Sequence, residues 1–316
     1  MRYFIITLTC FCLACQSQNE PSEETVTAES PTAQAQVILK TQTVPFNPEE
    51  KSAITTEYEH TKKLEVPTNL VPQNAWVMFE GPVLENELIA YRFYVDTRHR
   101  SDIYGKKVND MVMDTVSWKY HDIMDWGSDI LKVGNSLGIG SPAIYYQDEV
   151  ISFSDHGVKT AEVIANKGPE AAVRFTFNDL KVGEATLTVE QDWSLKVGQP
   201  HATVSVRIKE GQLPEGARFA TGIVKHLDQA TSGTQDGKFY LYTWGQQSYH
   251  EQVMGMGILA AEGSGPEIIE DELSHLVVFN DATDQVDYQF MAAWVEDVMQ
   301  IKDAPAFQTK LVSYTD

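Results

Sequence analysis

Apolar and polar residues alternate along most of the chain from about Val37 onward, and this alternation limits the fold more than any other feature. The clearest examples are Val173–Phe177, Thr186–Val189 and Thr203–Ile208. A period of two puts every second side chain on the same face of an extended strand, so each segment predicts a half-buried strand. Turn signals rich in glycine and proline separate the segments. The pattern therefore predicts an all-β protein.

Further strands are predicted by the same criteria at Phe239–Thr243, His275–Asn280, Gln285–Trp294 and Phe307–Tyr314, with a hairpin of Ala75–Glu80 and Leu88–Val95 across Gly81-Pro82. Helical signals are scarce, and we expect at most one or two helical turns within Asp122–Val133. The predicted fold is a large antiparallel β-sandwich that occupies residues 37–316 as a single domain.

The first residues have the pattern of an export signal. Arg2 supplies a positive charge, and Tyr3–Phe11 is an apolar run too short to span a bilayer as a helix. Cys12-Leu13-Ala14-Cys15 then fits a lipobox, although Cys12 stands where leucine is usual. We expect residues 1–14 to be a signal peptide and Cys15 to carry lipid. An ordinary secretory signal that is cut nearby is the alternative.

Residues 15–36 are predicted to form a lipidated, disordered tether, because they are rich in Ser, Thr, Glu, Gln and Pro and have almost no apolar content. The protein would then be held at the bacterial cell envelope, in contact with membrane through its lipid alone. The chain's three cysteines are Cys10, Cys12 and Cys15, so the predicted domain has no disulfide, thiol nucleophile or cysteine metal site.

The formal net charge of −21 argues against nucleic acid as a partner, because the phosphate backbone requires clustered Lys and Arg. An anionic ligand would need positive charge concentrated at its binding site. The sequence does not identify a protein partner.

One such concentration occurs where Arg92, Arg98 and Arg100, three of the seven arginines, lie within nine residues. Alternation places Arg92 and Tyr94 on one strand face. The guanidinium group binds carboxylate or sulfate with two parallel hydrogen bonds, so the cluster indicates an anion-binding site. A structural ion-pair network among the cluster's arginines and its acids, Asp96 and Asp102, explains the same residues equally well.

A second segment, Trp118–Gly140, has a histidine between aromatic and acidic residues. His121 is a candidate general acid or base, with Asp122 or Asp125 orienting its ring. Trp118 and Trp126 are candidates for stacking on a sugar ring, and core packing explains them equally well.

Two later segments could line the same cleft. Lys225 and His226 follow a predicted strand and could act as a base or contact an anion, while Trp244 lies in an aromatic and amide-rich stretch. Solvated charges at a strand end and ordinary packing are the alternatives. The histidines do not have metal-ligand spacing, and we predict neither a metal nor a cofactor.

These motifs together resemble one bacterial family. The runs YRFYVDTRHRSDIYGKK, YHDIMDWGSDILKVGNSLGIGS, TGIVKH and YTWGQQS are similar to those of domain of unknown function 4861. The resemblance covers nearly all of the chain after the tether. It implies a β-supersandwich of the galactose-mutarotase type and a role in polysaccharide use. It further implies similarity to an ulvan oligosaccharide dehydratase of marine flavobacteria, which removes water from a terminal glucuronate or iduronate and leaves a 4,5-unsaturated uronate.

Eliminating the C4 hydroxyl needs a base at C5, an acid for the departing hydroxyl and cations that stabilise the carboxylate. We assign the carboxylate to Arg98 and Arg92, and the base and acid roles to His121 with His226 or Lys225. The remaining predicted substrate-binding residues are Arg100, Tyr120, Asp125, Trp126 and Trp244.

Three alternatives stay open. The first is a lyase that expels a sugar instead of water, the second is a glycan-binding lipoprotein without activity, and the third is an epimerase.

Overall fold

The alternating segments form long antiparallel strands in a computed structural model that describes Met1, residues 34–48 and residues 57–315. The predicted signal peptide, Cys15 and most of the predicted tether lie outside these residues. Apart from Met1, the described residues belong to one compact unit. The described strands are β1 (Gln36–Ile38), β2 (Lys40–Gln42), β3 (Tyr58–His60), β4 (Lys63–Val66), β5 (Val83–Glu85), β6 (Ile89–Phe93), β7 (Ser101–Lys106), β8 (Gly127–Asp129), β9 (Ala143–Tyr146), β10 (Glu149–Ser152), β11 (Lys159–Ala165), β12 (Glu170–Val182), β13 (Ala185–Lys196), β14 (Ala202–Glu210), β15 (Arg218–Val224), β16 (Thr231–Gln235), β17 (Lys238–Gln246), β18 (Val253–Ala261), β19 (Pro266–Ile269), β20 (Ser274–Phe279) and β21 (Gln285–Trp294).

The largest sheet has nine strands in the order β16-β17-β18-β21-β14-β13-β12-β11-β4. Two five-stranded sheets have the orders β1-β5-β6-β7-β8 and β10-β9-β15-β20-β19, and β2 pairs with β3. Each named strand pair is antiparallel. The all-β class and its large antiparallel sheets are therefore confirmed.

The main core lies between the nine-stranded sheet and the five-stranded sheets. The ring of Phe93 on β6 is 4.2 Å from that of Trp193 on β13, and the ring of Phe279 on β20 stacks on Tyr288 of β21 at 5.6 Å. Alternation along each strand buries these side chains and turns their neighbours outward. The result is a sandwich without a disulfide in its described part, held by a large apolar core.

The sheet β1-β5-β6-β7-β8 has two different faces. On one face, side chains such as Tyr91 of β6 and Ile103 of β7 point into the main core. The other face includes Ala90 and Tyr104, which are covered by a smaller cluster around Phe79, Met113 and Tyr120. This second face also carries the charged residues of the candidate site.

One predicted strand is a helix. The C-terminal α1 (Ala304–Val312) replaces the strand expected at Phe307–Tyr314. The Asp303 carboxylate accepts a hydrogen bond from the backbone N–H of Ala306 at 2.8 Å, and proline in the first turn favours the helix. Phe307 and Leu311, four residues apart, are buried against the nine-stranded sheet.

Other boundaries also differ. Phe79 and Glu80 have φ near 60°, so residues 78–80 form a short 3-10 turn instead of a strand, and β6 pairs with β5 instead. No helix occurs in Asp122–Val133, which contains turns and β8. Gln36, which we placed in the tether, is buried in β1. No helix in the described residues is long and apolar enough to cross a membrane.

Candidate functional site

Arg92 is the centre of a buried charge network on the second face of the five-stranded sheet. Its Nη2 donates hydrogen bonds to Asp102, directly opposite on β7, and to Asp129 Oδ2 at 2.8 Å. The side chain is 1% exposed. The structural ion-pair interpretation is therefore correct for Arg92, and its predicted role in binding a substrate carboxylate is wrong, because two internal carboxylates hold it out of reach of solvent.

Asp129 shares the Arg92 guanidinium with a second carboxylate. Burial, followed by the charge of Asp102, raises the pKa of Asp129 well above its ordinary value. One guanidinium cannot balance two buried carboxylates fully. Asp129 therefore releases its proton at a higher pH than an exposed carboxyl does.

Three tyrosine rings surround Arg92. Its guanidinium carbon lies 4.4, 5.2 and 5.1 Å from the ring centroids of Tyr94, Tyr104 and Tyr120. Nε and Nη1 are buried without a hydrogen-bond partner in the described part of the chain, so the aromatic faces are their surroundings. Burial raises the pKa of Tyr120 to about 12 and that of Tyr104 well above its usual value. These phenols stay neutral.

Arg98 stacks on the opposite side of Tyr94, with its guanidinium carbon 3.7 Å from the ring centroid. Its Nη2 pairs with Glu80 and Asp96, each at 2.5 Å, and its side chain is 23% exposed. Arg98 thus lies at the surface end of the network, but acids of the protein already neutralise it. The predicted carboxylate-binding role of Arg98 would require displacement of Asp96 or Glu80.

His121 is the accessible titratable group next to this network. Its Nδ1 lies 3.4 Å from Asp129 Oδ2, and its side chain is 54% exposed. Partial burial, followed by the positive charge of Arg92, lowers the pKa of His121 below 6.5. A neutral imidazole, oriented at Nδ1 by a carboxyl, has the arrangement of a general base. The carboxyl that contacts Nδ1 is that of Asp129, whereas the predicted partners Asp122 and Asp125 are exposed.

A loop from another part of the chain covers the same surface. The Tyr249 ring centroid lies 5.6 Å from that of His121, and Lys132 Nζ lies 5.2 Å from the Tyr249 ring. The backbone N–H of Tyr249 donates to the carbonyl of Ile130 at 2.7 Å. Ser128 Oγ and His250 Nε2 are 2.8 Å apart. These bonds hold the loop beside β8.

His226 joins this surface through Lys132, because its Nε2 lies 2.8 Å from the Lys132 carbonyl oxygen and so carries the donated hydrogen. Both residues line a cavity of about 360 Å³ together with Gln246, Gln247, Ser248 and Glu251. The cavity is next to Tyr249 in sequence and in space. It is large enough for one sugar ring with its hydration.

The structure separates two predicted site residues from this group. The ring of Trp244 packs at 5.6 Å on Phe307 of α1, where it belongs to the outer cluster of the nine-stranded sheet. Lys225 Nζ lies 3.6 Å from Glu270 and donates to the carbonyl of Asp271. A site that includes His121 therefore excludes Trp244, and Lys225 is occupied by its own neighbours.

The other predicted residues lie around the network. Tyr120 is buried in it, and the ring of Trp126 is 6.2 Å from that of Tyr104. Arg100 is half-buried and donates to the carbonyl of Gly134, while Asp125 is exposed in a turn. In the described residues no group of three or more His, Cys, Asp and Glu side chains could hold a metal ion.

Sequence reasoning missed Asp129, Lys132 and Tyr249. Asp129 carried a signal, because a carboxylate at a strand position between Ser128 and Ile130 is costly to bury without a partner. Lys132 and Tyr249 are ordinary surface residues in sequence. Only the packing of the loop around Tyr249 against β8 reveals them.

The comparisons with known proteins identify one family, and the similarities to solved structures are weak. The family Domain of unknown function (DUF4861) matches residues 11–316. A search of curated proteins gave no significant match. A human-microbiome protein named as a kojibiose phosphorylase superposes with a TM-score of 0.38 at 8% identity, and covers 88% of this chain. This chain spans 34% of that protein's length.

A second solved structure, named as an aldose 1-epimerase of Klebsiella pneumoniae subsp. pneumoniae MGH 78578, superposes with a TM-score of 0.35 at 7% identity. The alignment covers 88% of this chain and 95% of that one.

Proposed function

This chain belongs to the Domain of unknown function (DUF4861) family, and we propose that it is a hydro-lyase that removes water from the non-reducing-end uronate of acidic oligosaccharides such as those of ulvan. The observation that carries the proposal is the contact between half-exposed His121 and buried Asp129, 3.4 Å apart. It supplies a neutral imidazole beside a carboxyl, at a surface that also has the exposed ammonium of Lys132 and the phenol of Tyr249.

His121 takes the proton from C5 of the uronate. The lowered pKa keeps its imidazole neutral at neutral pH, so Nε2 is able to accept a proton. Asp129 lies against Nδ1 and positions the ring, in the way a buried carboxyl supports a histidine base. Arg92 keeps Asp129 in place through the 2.8 Å bond.

Lys132 is the group we assign to the sugar carboxylate. Its ammonium lies over the Tyr249 ring, is on the exposed surface, and has no ion pair in the described residues. Negative charge develops on the carboxylate as C5 loses its proton, and a nearby cation stabilises that charge. This assignment replaces Arg92 and Arg98, whose guanidinium groups are already paired.

Tyr249 is the group we assign to the departing hydroxyl. Its ring lies 5.6 Å from that of His121, so a sugar that lies across the exposed edges of both rings would present C5 to one and the C4 oxygen to the other. The phenol donates its proton, the C4–O bond breaks, the C4=C5 bond forms, and water leaves. His226 is the weaker candidate acid, because its Nε2 hydrogen is donated to Lys132.

The test is incubation of the full chain with a glucuronate-terminated oligosaccharide, followed by mass spectrometry. We expect loss of one water without shortening of the chain, and new ultraviolet absorbance from the conjugated uronate. His121→Ala should lower kcat by about 10²-fold or more, as for other general bases. His156→Ala, at a half-buried histidine bonded to Gly157, is the matched control and should keep activity.

Other products would reject the proposal in distinguishable ways. Two shorter fragments would identify a lyase that expels a sugar, and unchanged mass with saturable binding would identify a glycan-binding protein. Exchange of the C5 proton with solvent deuterium without loss of water would identify an epimerase.

The proposed activity also has a defined pH dependence. Since the pKa of His121 is lowered below 6.5 by burial and by Arg92, kcat/KM should rise with pH and reach half its plateau below pH 6.5. Initial rates between pH 4 and pH 8 measure this limb. An acid limb centred above pH 6.5 would contradict the assignment of His121 as the base.

A further inference from the structure

A second and larger cavity, of about 620 Å³, lies beside the site. Met78, Phe79 and Met113 form its buried floor, and the rings of Tyr58 and Trp118 line it. Its volume is in the range of small-molecule binding sites, and its lining is mainly apolar with polar groups at the rim. Nothing in the reaction described above uses it.

One residue, Tyr120, connects this cavity to the reaction site. The Tyr120 ring lies 6.0 Å from Trp118 and 5.7 Å from Phe79, which line the cavity, and 4.6 Å from the His121 ring. The cavity therefore adjoins the His121 surface, since side chains of both pack on the same Tyr120 ring.

The cationic side chains at the rim of the cavity differ in whether a carboxylate of the protein pairs with them. Lys40 pairs with Asp114 at 2.5 Å, and His60 lies 2.9 Å from the same carboxylate. Lys119 is exposed and has no ion pair in the described ranges 34–48 and 57–315. Lys119 is therefore the cation at this rim that remains available to an anionic ligand.

We propose that this cavity binds the sugar that follows the terminal uronate, with its ring face against Trp118 and its carboxylate or sulfate at Lys119. The proposal rests on the proposed function for the position of the first sugar. Aromatic side chains suit the apolar face of a pyranose ring, and an ammonium at the rim suits an anionic substituent. The preferred substrate is then an acidic disaccharide or longer oligosaccharide instead of a single uronate.

Isothermal titration of the full chain with methyl glucuronide, which supplies the terminal uronate alone, and with a glucuronate-terminated disaccharide whose second sugar is sulfated tests this. We expect the wild-type protein to bind the disaccharide about tenfold more tightly, as expected for one good ring contact. Trp118→Ala should remove this difference and leave the affinity for methyl glucuronide unchanged. Trp76→Ala, which removes an indole packed on Phe46 outside the cavity, should retain the difference.

Lys119→Ala is a second variant that changes only an exposed side chain. It should weaken binding of the sulfated disaccharide several-fold, with the loss diminishing at high salt, whereas Lys62→Ala at another exposed lysine should have no effect. Equal affinities for the two sugars, or equal losses for both in Trp118→Ala, would overturn the proposal.

Binding and turnover are measured separately, so the two proposals fail separately. Length-dependent binding that Trp118→Ala removes, without dehydration of either sugar, would reject the hydro-lyase and support the second sugar site. Dehydration of both sugars with no length dependence would support the hydro-lyase and reject the second sugar site.

Discussion

The two faces of the sheet β1-β5-β6-β7-β8 differ in the side chains they bury and in how the polar groups of those side chains are paired. On one face, Tyr91 and Phe93 pack on rings of the nine-stranded sheet, and the Tyr91 hydroxyl donates to the carbonyl of Pro200. The other face carries Arg92, which lies between them in sequence, and Tyr104 of the neighbouring strand β7. Arg92 pairs with two carboxylates, and the Tyr104 hydroxyl has no hydrogen-bond partner in the described residues.

The first face is an ordinary core, since every polar group on the Tyr91 side chain is satisfied and the rest is apolar. The second face holds buried charged groups, although apolar side chains at the same positions would stabilise the fold as well. A buried ion network next to a half-exposed histidine is typical of a site whose electrostatics are fixed in advance. The difference between the faces is therefore the strongest structural argument for the location of the site.

Arg92→Met should have the largest effect, because it leaves Asp102 and Asp129 buried without a cation. We expect a loss of about 3–5 kcal/mol in the free energy of unfolding, measured by urea denaturation, together with loss of activity. Adding Asp102→Asn and Asp129→Asn should recover most of the stability but not the activity. Phe93→Ala on the opposite face should cost about as much through a cavity. If the two asparagines also rescued Phe93→Ala, the two faces would not differ as described.

Tyr249→Phe should lower kcat by about 10²-fold with little change in KM, because the variant keeps the ring but loses the proton donor. Single-substrate kinetics with the glucuronate-terminated oligosaccharide measure both constants. Tyr145→Phe, whose hydroxyl donates to Asp148 elsewhere on the surface, is the control. A variant with unchanged kcat would show that another group protonates the departing hydroxyl.

Asp129→Asn should change how stability depends on pH. The pKa of Asp129 is raised in the folded protein, so its favourable contribution is complete below the ordinary carboxyl value near 3.8 and is lost as pH rises through the folded-state pKa. Asparagine does not titrate, so wild-type stability relative to the variant should fall as pH increases from 4. Urea denaturation over a pH series measures the difference. Tyr91→Phe on the apolar face should show no such trend, and a pH-independent difference for Asp129→Asn would contradict the raised pKa.

The smallest effects are expected at the predicted site residues that the fold places elsewhere. Trp244→Ala and Lys225→Ala should leave kcat/KM within about twofold of wild type, because neither side chain contacts the His121 surface. Trp244→Ala should still lower the melting temperature, since its ring packs on Phe307. A large loss of kcat/KM with unchanged stability in either variant would place the site nearer to α1 or Glu270 than we propose.

Strand prediction succeeded where alternation was long and unambiguous. β21 has the predicted bounds Gln285–Trp294, and β20 differs by one residue at each end. It failed at α1, where Phe307 and Leu311 lie four residues apart, as on a helix face, and where Asp303 and Pro305 are start signals that we did not weigh. In short segments with mixed periodicity, tertiary contacts decided the secondary structure.

The sequence predicted one part of the candidate site and not the other. Alternation placed Arg92 and Tyr94 on one face, and the ion-pair alternative included Asp102. The structure contains these contacts. The partner of His121 was sought among its sequence neighbours Asp122 and Asp125, whereas it is Asp129 on β8. The register of β8 against β7, which puts Asp129 opposite Tyr104, brings that carboxyl to Arg92.

The sequence by itself determined the all-β class, the family and the two segments that carry the site, because strand periodicity and local charge are properties of neighbouring residues. Lipidation at Cys15 stays a prediction from the sequence. The tertiary structure decided that Arg92 is an internal ion-pair partner, that Trp244 is remote, and that Lys132 and Tyr249 stand beside His121. These facts depend on pairing between strands and loops far apart in the chain, which local pattern does not encode.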